Sequence, residues 1–596
     1  MSSAGSLCED FILASGPQAE AWLAGKAGLQ TLALGDGTLH AAVSAGVRHG
    51  RHANGRHWLA IADLVTGQLD DAAGDSASTA PQRHWRGRFA FASWQPGQAG
   101  VSAFIDHFGS LPLFWYRRDG HFAVATDLRL LLDAPGIGND VDLTAVYHYL
   151  NFTCIPAPLT IHRDIRRVEP GSVLTLDHAA ERSERYYLPE YPADLQGSDT
   201  QLAHDLRDRM IATVQDFRPH TDGDWGCFLS GGTDSSSIVS ILARQGGSQV
   251  HSCSIGFPEA GYDELDFARL ASEACGAQPH LAKVDRHRAL GLLDSVIDAY
   301  DQPFGNASAV PTLACAELGQ SQGFATMLGG DGGDEIFGGN QRYAKDKVME
   351  AFYRLPSPLK AAARAIGDTV GGGHVHVLNR VQNFTRRGSL PNPDRFYTDD
   401  SFASDFYGDL LTPTFRAQVP QDASLDFMRG VYATGPRTEP LHQIMRLDLL
   451  MAIAQNDLVK VHRACRHHGV SVRFPYLDPA LVDYCGRLAA HYKVRGLKKR
   501  YLFKQAVADI LPTEILRKRK QGFGLPIAIW MKEDPALQAR VRDVLLDERT
   551  RERGWVNPAF IERLVNLHMA GGWDHSNALW QLLVLELWMR RYMDGR

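Results

Sequence analysis

Hydrophobic and polar residues alternate over short segments in the first 190 residues of the chain. Turns rich in Gly, Asp and Arg separate these segments, and connections this short favour antiparallel strands. The pattern therefore predicts a strand-rich N-terminal domain over residues 1–190. The segments are Leu29–Leu34, His57–Ala62, Phe89–Trp94, Gly100–Ile105, Leu113–Tyr116 and Phe122–Ala125.

From about residue 200 the hydrophobic period lengthens to that of helices, and short apolar strands interrupt it. This alternation predicts an α/β domain with a parallel sheet over 200–596, mainly helical from 436 onward. Turn formers at 190–200 predict the linker between the two domains. Helices are predicted at 200–215, 234–245 and 263–274, and strands at 225–229, 250–255 and 324–328.

Composition narrows the classes of protein to consider. The net charge of −6 argues against a nucleic-acid-binding surface, and the short basic runs 498–500 and 517–520 are typical of a solvated face. The eight cysteines form no Cys-x-x-Cys pair, so no zinc knuckle or disulfide framework is indicated. No secretory signal and no run of 18 apolar residues is seen. We expect a cytoplasmic protein without membrane or nucleic-acid partners.

The segment 225–237 carries the first candidate chemistry. A strand ends at Leu229, Ser230-Gly231-Gly232 turns, and a helix begins near Asp234. Adjacent glycines let the backbone approach an anion, and the helix N-terminus offers free N–H groups to phosphates. Asp234 would repel bare phosphate unless a cation lay between them. A plain strand–turn–helix with an Asp near its N-cap is the alternative.

A second loop, Leu328–Gly339, contains Asp331, Asp334 and Glu335 among six glycines. It follows a predicted parallel strand, so it is expected in the same crevice as the first loop. Asp234 and Asp334 are then a natural pair for one Mg²⁺, which leaves Asp331 for proton transfer. An acidic solvated hairpin is the alternative.

Taken in order, these motifs resemble those of the asparagine synthetase superfamily, the PP-loop enzymes that adenylate a carboxylate. The resemblance covers nearly the whole chain and implies ATP and Mg²⁺ as cofactors. It also implies a glutaminase-like (Ntn-type) α+β sandwich before the synthetase domain. The segments that carry it are Asp106–Phe114, Ser230–Ser235, Ser254–Phe257, Tyr262–Glu264, Asp301–Phe304, Gly330–Glu335, Arg473–Asp478, Lys520–Pro526 and Trp530.

The resemblance also implies roles for individual residues. Asp331 falls where asparagine synthetases have a Glu that contacts the acyl-adenylate and helps to deprotonate the amine. Arg500 falls near the family's intermediate-stabilising Lys, so Lys499 or Arg500 is expected to stabilise the oxyanion. Asp234 and Asp334 would hold Mg²⁺. The adenosine would be wrapped by Leu229, Ile255, Gly329 and Gly330, and the phosphates held by Ser230, Gly231, Gly232 and Ser235.

Three departures from the family pattern matter. Residue 2 is Ser where the glutaminase needs Cys, Cys8 lies within the chain, and the segments that grip glutamine are absent. Because a hydroxyl is a weak nucleophile without a dedicated base, we expect no glutamine hydrolysis and a scaffold role for the N-terminal domain. Asp331 is one methylene shorter than Glu. Arg500 keeps the positive charge of Lys but cannot donate a proton at neutral pH.

The predicted activity is ATP-dependent joining of a carboxylate to an amine, with release of AMP and pyrophosphate. The substrate is a small molecule or peptide that carries both groups. In these departures the chain resembles β-lactam synthetases and lasso-peptide macrolactam synthetases. A lasso-peptide synthetase would also have a precursor peptide as its partner. An asparagine synthetase using ammonia or glutamine, and an amidotransferase of polysaccharide pathways, stay open.

The sequence argues against two other functional classes, other PP-loop enzymes and a non-catalytic binding protein. Lysidine and GMP synthetases share Ser-Gly-Gly-x-Asp-Ser but lack the acidic loop, and a tRNA enzyme should be basic. A non-catalytic binding protein would not need Asp234 and Asp334.

Overall fold

The alternating N-terminal segments form two six-stranded antiparallel sheets, in the orders β10-β8-β9-β1-β3-β2 and β12-β11-β7-β6-β5-β4. The strands are β1 (Phe11–Ser15), β2 (Gln30–Leu32), β3 (Leu39–Val43), β4 (Arg48–Arg51), β5 (His57–Thr66), β6 (Arg86–Trp94), β7 (Gly100–Ile105), β8 (Phe114–Arg118), β9 (His121–Ala125), β10 (Arg166–Arg167), β11 (Ser172–Asp177) and β12 (Glu181–Arg185).

The two sheets pack face to face. Leu13 and Val124 of the first sheet share one buried core with Ala92 and Ala103 of the second. Because strand residues alternate in direction, alternate residues of β1, β3, β5, β6, β7, β9 and β11 enter this core. Two helices, α1 (Ala19–Ala24) and α2 (Leu143–Phe152), accompany the sheets. The predicted strand-rich α+β sandwich is confirmed.

This computed structural model describes residues 9–34, 37–69, 81–98, 100–220, 224–246, 249–259, 261–370, 376–518, 524–571 and 573–594. Ser2, Cys8 and Lys520–Phe523 lie outside these ranges. Among the helices described, none is long and apolar enough to cross a membrane.

The C-terminal part contains a five-stranded parallel sheet of order β15-β14-β13-β16-β17 and a two-stranded hairpin, β18-β19. The α/β prediction for this part is confirmed; β15, on one edge of the sheet, and β17, on the other, were not predicted. The strands are β13 (Trp225–Phe228), β14 (His251–Gly256), β15 (Gln278–Lys283), β16 (Thr326–Leu328), β17 (Ser471–Arg473), β18 (Val494–Arg495) and β19 (Lys498–Lys499).

Helices surround this sheet and form most of the chain after it. They are α3 (Asp199–Asp216), α4 (Thr233–Arg244), α5 (Leu265–Cys275), α6 (Arg286–Gly291), α7 (Leu293–Ala299), α8 (Ala309–Ser321), α9 (Gly333–Phe337), α10 (Gln341–Tyr353), α11 (Ser357–Val370), α12 (His376–Gly388), α13 (Asp394–Tyr397), α14 (Phe402–Asp405), α15 (Tyr407–Leu410), α16 (Pro413–Arg416), α17 (Ala423–Ala433) and α18 (Pro440–Asp448). A π-helix (Leu449–Asp457) leads into α19 (Leu458–His467), followed by α20 (Pro479–Arg487), α21 (Ala490–Lys493), α22 (Tyr501–Ala506), α23 (Thr513–Arg517), α24 (Ile527–Glu533), α25 (Pro535–Leu545), α26 (Glu548–Glu552), α27 (Pro558–Met569) and α28 (Ser576–Tyr592).

Ion pairs, one partly exposed and one buried, join the two parts. Arg473, at the end of β17, donates to both carboxylate oxygens of Asp63 on β5 at 2.6 and 2.8 Å. Arg463 of α19 bridges Asp127 and Asp301, and its side chain is 1% exposed. These contacts fix the sandwich against the parallel sheet. The predicted boundaries, 1–190 and 200–596, stay predictions.

Candidate active site

The site lies where the strand order of the parallel sheet reverses. From β13 the chain proceeds to β14 on one side, and later to β16 on the other. The loops after β13 and β16 therefore diverge around one crevice at the carboxyl ends of the strands, the usual ligand position in such sheets.

The loop after β13 turns sharply before α4. Gly231 has a φ of +66°, and a Cβ there would lie 2.6 Å from the carbonyl carbon of Phe267, so only glycine fits. Gly232 is the N-cap of the 12-residue helix α4 and supplies no side chain to its amides. The hydroxyls of Ser230 and Ser235 are 3.3 Å apart. A turn of this shape presents N–H groups and a helix N-terminus to an anion.

The two loops pack directly on each other. A Cβ on Gly330 would lie 3.0 Å from the amide nitrogen of Ser235, and one on Gly333 would lie 2.6 Å from the Asp234 carboxyl carbon. The glycines of the acidic loop are thus needed for this close approach. They bring Asp334 to the same place as Asp234, although 100 residues separate them.

Arg500 stands between the two carboxylates. Its Nη1 and Nη2 each donate to an oxygen of Asp234 at 2.5 Å, and Nη2 also donates to Asp334. Nη1 further contacts the hydroxyl of Thr233. Burial would lower the pKa of Arg500, but the two carboxylates outweigh it and raise that pKa. Two carboxylates converging on one cation suit Mg²⁺, which takes few protein carboxylates and keeps waters, so the donor set fits that ion.

Asp331 comes at the start of the acidic loop, three residues after the end of β16. Burial raises its pKa to about 6, Lys460 opposes this, and Asp457 and Asp234 add to it. Lys460, on α19, pairs with Asp457 at 2.5 Å. A half-buried carboxyl with a pKa near neutrality is suited to accept a proton.

These groups line a cavity of about 1180 Å³. Of the predicted site residues, Gly231 and Gly329 shape the loops without lining it. The others form its wall: Leu229, Ser230, Gly232, Asp234, Ser235, Ile255, Gly330, Asp331, Asp334, Lys499 and Arg500. Lys499 donates from Nζ to the carbonyl of Gly339 at 2.8 Å, and Arg500 contacts carboxylates. Because both side chains donate to oxygens of the protein, the predicted role of Lys499 or Arg500 in stabilising an oxyanion stays a prediction.

Sequence reasoning missed several cations of this cavity. Lys518 donates to the Ser230 carbonyl at 3.0 Å and pairs with Glu264 at 3.1 Å, with its side chain 5% exposed. The interpretation of 498–500 and 517–520 as solvated faces was therefore wrong for Arg500 and Lys518. Both runs are short and lack helical periodicity, so only their nearness to the motifs could have signalled a buried position.

Comparison with protein families agrees with this geometry. The family model described as asparagine synthase matches residues 205–590, nearly two thirds of the chain. The chain belongs to the asparagine synthase family. A glutamine amidotransferase domain model matches residues 76–187, within the antiparallel sandwich.

Relatives with similar sequences cover most of the chain. A "Putative asparagine synthetase [glutamine-hydrolyzing]" of Mycobacterium tuberculosis (strain ATCC 25618 / H37Rv) is 29% identical, covering 87% of this chain and 80% of its own. "Asparagine synthetase [glutamine-hydrolyzing] 1" of Bacillus subtilis (strain 168) is 24% identical, covering 85% and 79%. "Amidase chyE" of Penicillium rubens (strain ATCC 28089 / DSM 1075 / NRRL 1951 / Wisconsin 54-1255) is also 24% identical, covering 80% and 74%.

Proposed function

We propose that this member of the asparagine synthase family is an AMP-forming ligase that uses ATP and Mg²⁺ to join a carboxylate to an amine. The observation that carries the proposal is the convergence of Asp234 and Asp334 beside a glycine turn and the N-terminus of α4. One loop suits phosphates and the carboxylate pair suits their cation.

In the first step, a carboxylate oxygen of the substrate attacks the α-phosphorus of ATP. An O–P bond forms, the bond from the α-phosphorus to the bridging oxygen breaks, and pyrophosphate leaves. When bound, Mg²⁺ would neutralise charge on the phosphates. The loop amides at Ser230–Gly232 and the cation Lys518 would hold the phosphate oxygens in line.

In the second step, the amine attacks the acyl-adenylate, and AMP leaves with the electrons of the C–O bond. Asp331, which lines the same cavity, would accept the proton that the amine loses. Arg500 and Lys499 would stabilise the negative oxygen of the tetrahedral intermediate once they turn toward it.

The proposal includes no glutamine hydrolysis by the N-terminal part. Between residues 9 and 190 the sequence has one cysteine, Cys154, and burial raises the pKa of its thiol to about 12. Such a thiol is not a nucleophile at neutral pH. The proposal therefore takes the amine from the substrate itself, as in macrolactam formation on a peptide, or from free ammonia. The names of the relatives favour the second candidate, a glutamine-hydrolysing asparagine synthetase.

Exchange of labelled pyrophosphate into ATP tests the proposal, with aspartate and acidic peptides offered as substrates. We expect exchange that depends on a carboxylate substrate and on Mg²⁺. Asp234→Ala should abolish it while leaving the circular dichroism spectrum unchanged, and retained exchange in this variant would remove the metal assignment.

Incubation with glutamine separates the two candidates. Release of glutamate coupled to amide formation would favour asparagine synthetase and overturn the scaffold role of the sandwich. Amide formation from peptide alone, without glutamine or ammonia, would favour the macrolactam reaction.

A further inference from the structure

The guanidinium of Arg500 occupies the position between Asp234 and Asp334, which we call the carboxylate pair. Asp234 gives both of its oxygens to Arg500, and Asp334 gives one. These oxygens are the ones a divalent cation shared by the pair would need. Arg500 is 8% exposed, so water does not separate it from the carboxylates.

The backbone of Arg500 is anchored while its side chain reaches across the crevice. Its amide donates to the Gly338 carbonyl at 3.2 Å, and its carbonyl accepts from the Lys504 amide at 2.9 Å. It has a φ of +54°, the left-handed turn that joins the β18–β19 hairpin to α22. Only rotation of the side chain is therefore needed to leave the carboxylate pair.

A divalent cation and this guanidinium cannot both occupy the position between Asp234 and Asp334. Like charges in direct contact repel strongly in a partly buried site, and a dication doubles that repulsion. The pair must release one cation before it accepts the other. Phosphates entering the cavity would offer the guanidinium another bidentate partner.

We propose that Arg500 closes the carboxylate pair to divalent cations in the nucleotide-free protein, and moves to the phosphates when nucleotide enters. The metal then loads with the nucleotide rather than before it. A lysine could not do this, because a single ammonium lacks the fork that spans both carboxylates. The inference rests on the proposed use of ATP and Mg²⁺.

Binding of Mn²⁺ to the full chain without nucleotide, measured by electron paramagnetic resonance, tests this. Arg500→Met should raise Mn²⁺ affinity at least about tenfold, because it removes the positive charge that bridges the two carboxylates. Lys504→Met is the matched control: it removes a positive charge that also lines the cavity, but leaves the carboxylate pair bound to Arg500. It should leave Mn²⁺ affinity unchanged.

If Arg500→Met folds poorly, the Mn²⁺ affinity of Arg500→Lys is measured in its place. Arg500→Lys should bind Mn²⁺ more tightly than the unaltered protein. Adding Asp334→Asn to Arg500→Met should reverse the gain. Unchanged Mn²⁺ affinity in folded Arg500→Met or Arg500→Lys would overturn the inference, as would an equal gain in Lys504→Met. No substrate enters these measurements, so a failure of pyrophosphate exchange would remove the proposed function and leave the Mn²⁺ result standing.

Discussion

Asp331 shows how the surroundings of one side chain fix its chemistry. The carboxyl lies within reach of the fields of Lys460, Asp457 and Asp234, but withdrawal from water is the largest influence on its pKa, which rises to about 6. A surface carboxyl, ionised over the whole physiological range, would be a weaker base.

The rate of amide formation should therefore depend on pH through Asp331. A base must be deprotonated to act, so kcat/KM should fall as pH decreases through about 6 and level off above it. Asp331→Asn should lower amide formation by about 10²–10⁴-fold while leaving pyrophosphate exchange. The pH profiles of amide formation and of pyrophosphate exchange, measured side by side, test this dependence on Asp331. An unshifted profile in Asp331→Glu, or equal loss of both reactions in Asp331→Asn, would contradict the assignment.

At the scale of elements, the loop after β13 is shaped by what it packs against. Gly231 lies against the backbone at Phe267 and Ala268, where α5 begins. The position of this loop is thus set by α5 as well as by its own turn.

Gly231→Ala should weaken nucleotide binding, because its Cβ would meet that backbone and push the loop away. The left-handed φ alone costs about 1 kcal/mol. Gly246→Ala is the control: it has a φ of +68°, with no atom of the described chain within 4 Å of the added Cβ. Both variants should lose stability in urea, but only Gly231→Ala should raise the KM for ATP. Equal ATP affinity in the two would show that packing on α5 does not position the loop.

The same loops show what a sequence can and cannot predict. The turn at Ser230–Gly232 and the strand before it were predictable, because glycine and strand–helix alternation are local signals. The edge strand β15, at Gln278–Lys283, was missed because its residues are polar and partly exposed. The bridging by Arg500 was also missed. It depends on a left-handed residue at a hairpin end, 166 residues from Asp334, and no local pattern encodes such a contact.

At the scale of the whole molecule, the cavity is built on a junction between the sandwich and the parallel sheet. Arg463 joins Asp127 of the first part to Asp301 of the second. Its helix, α19, also carries Lys460 into the cavity wall. The junction therefore supports the site as well as the fold.

Arg463→Met should destabilise the protein by about 3–5 kcal/mol, because it removes a buried cation that Asp301 and Asp127 share, although Arg129 stays paired with Asp127. Urea unfolding followed by circular dichroism measures this as a lower midpoint. The carboxyl of Asp127 has a pKa held below its ordinary value by the arginines around it, against the effect of burial. The contribution of the Asp127 pair is consequently present at neutral pH and is lost as pH falls through that lowered pKa. The difference between Arg463→Met and the unaltered protein should shrink in strong acid.

Arg487→Met is the control for Arg463→Met, because it removes an ion pair that is exposed rather than buried. Arg487 pairs with Asp194 of the predicted linker, but the two side chains are 48% and 54% exposed, so solvent screens the pair. Its removal should leave the unfolding midpoint unchanged. If the two variants instead unfold at the same urea concentration, the buried pairs do not hold the sandwich on the sheet. The buried apolar cluster that includes both Phe114 of the sandwich and Trp225 of the parallel sheet would then account for the junction.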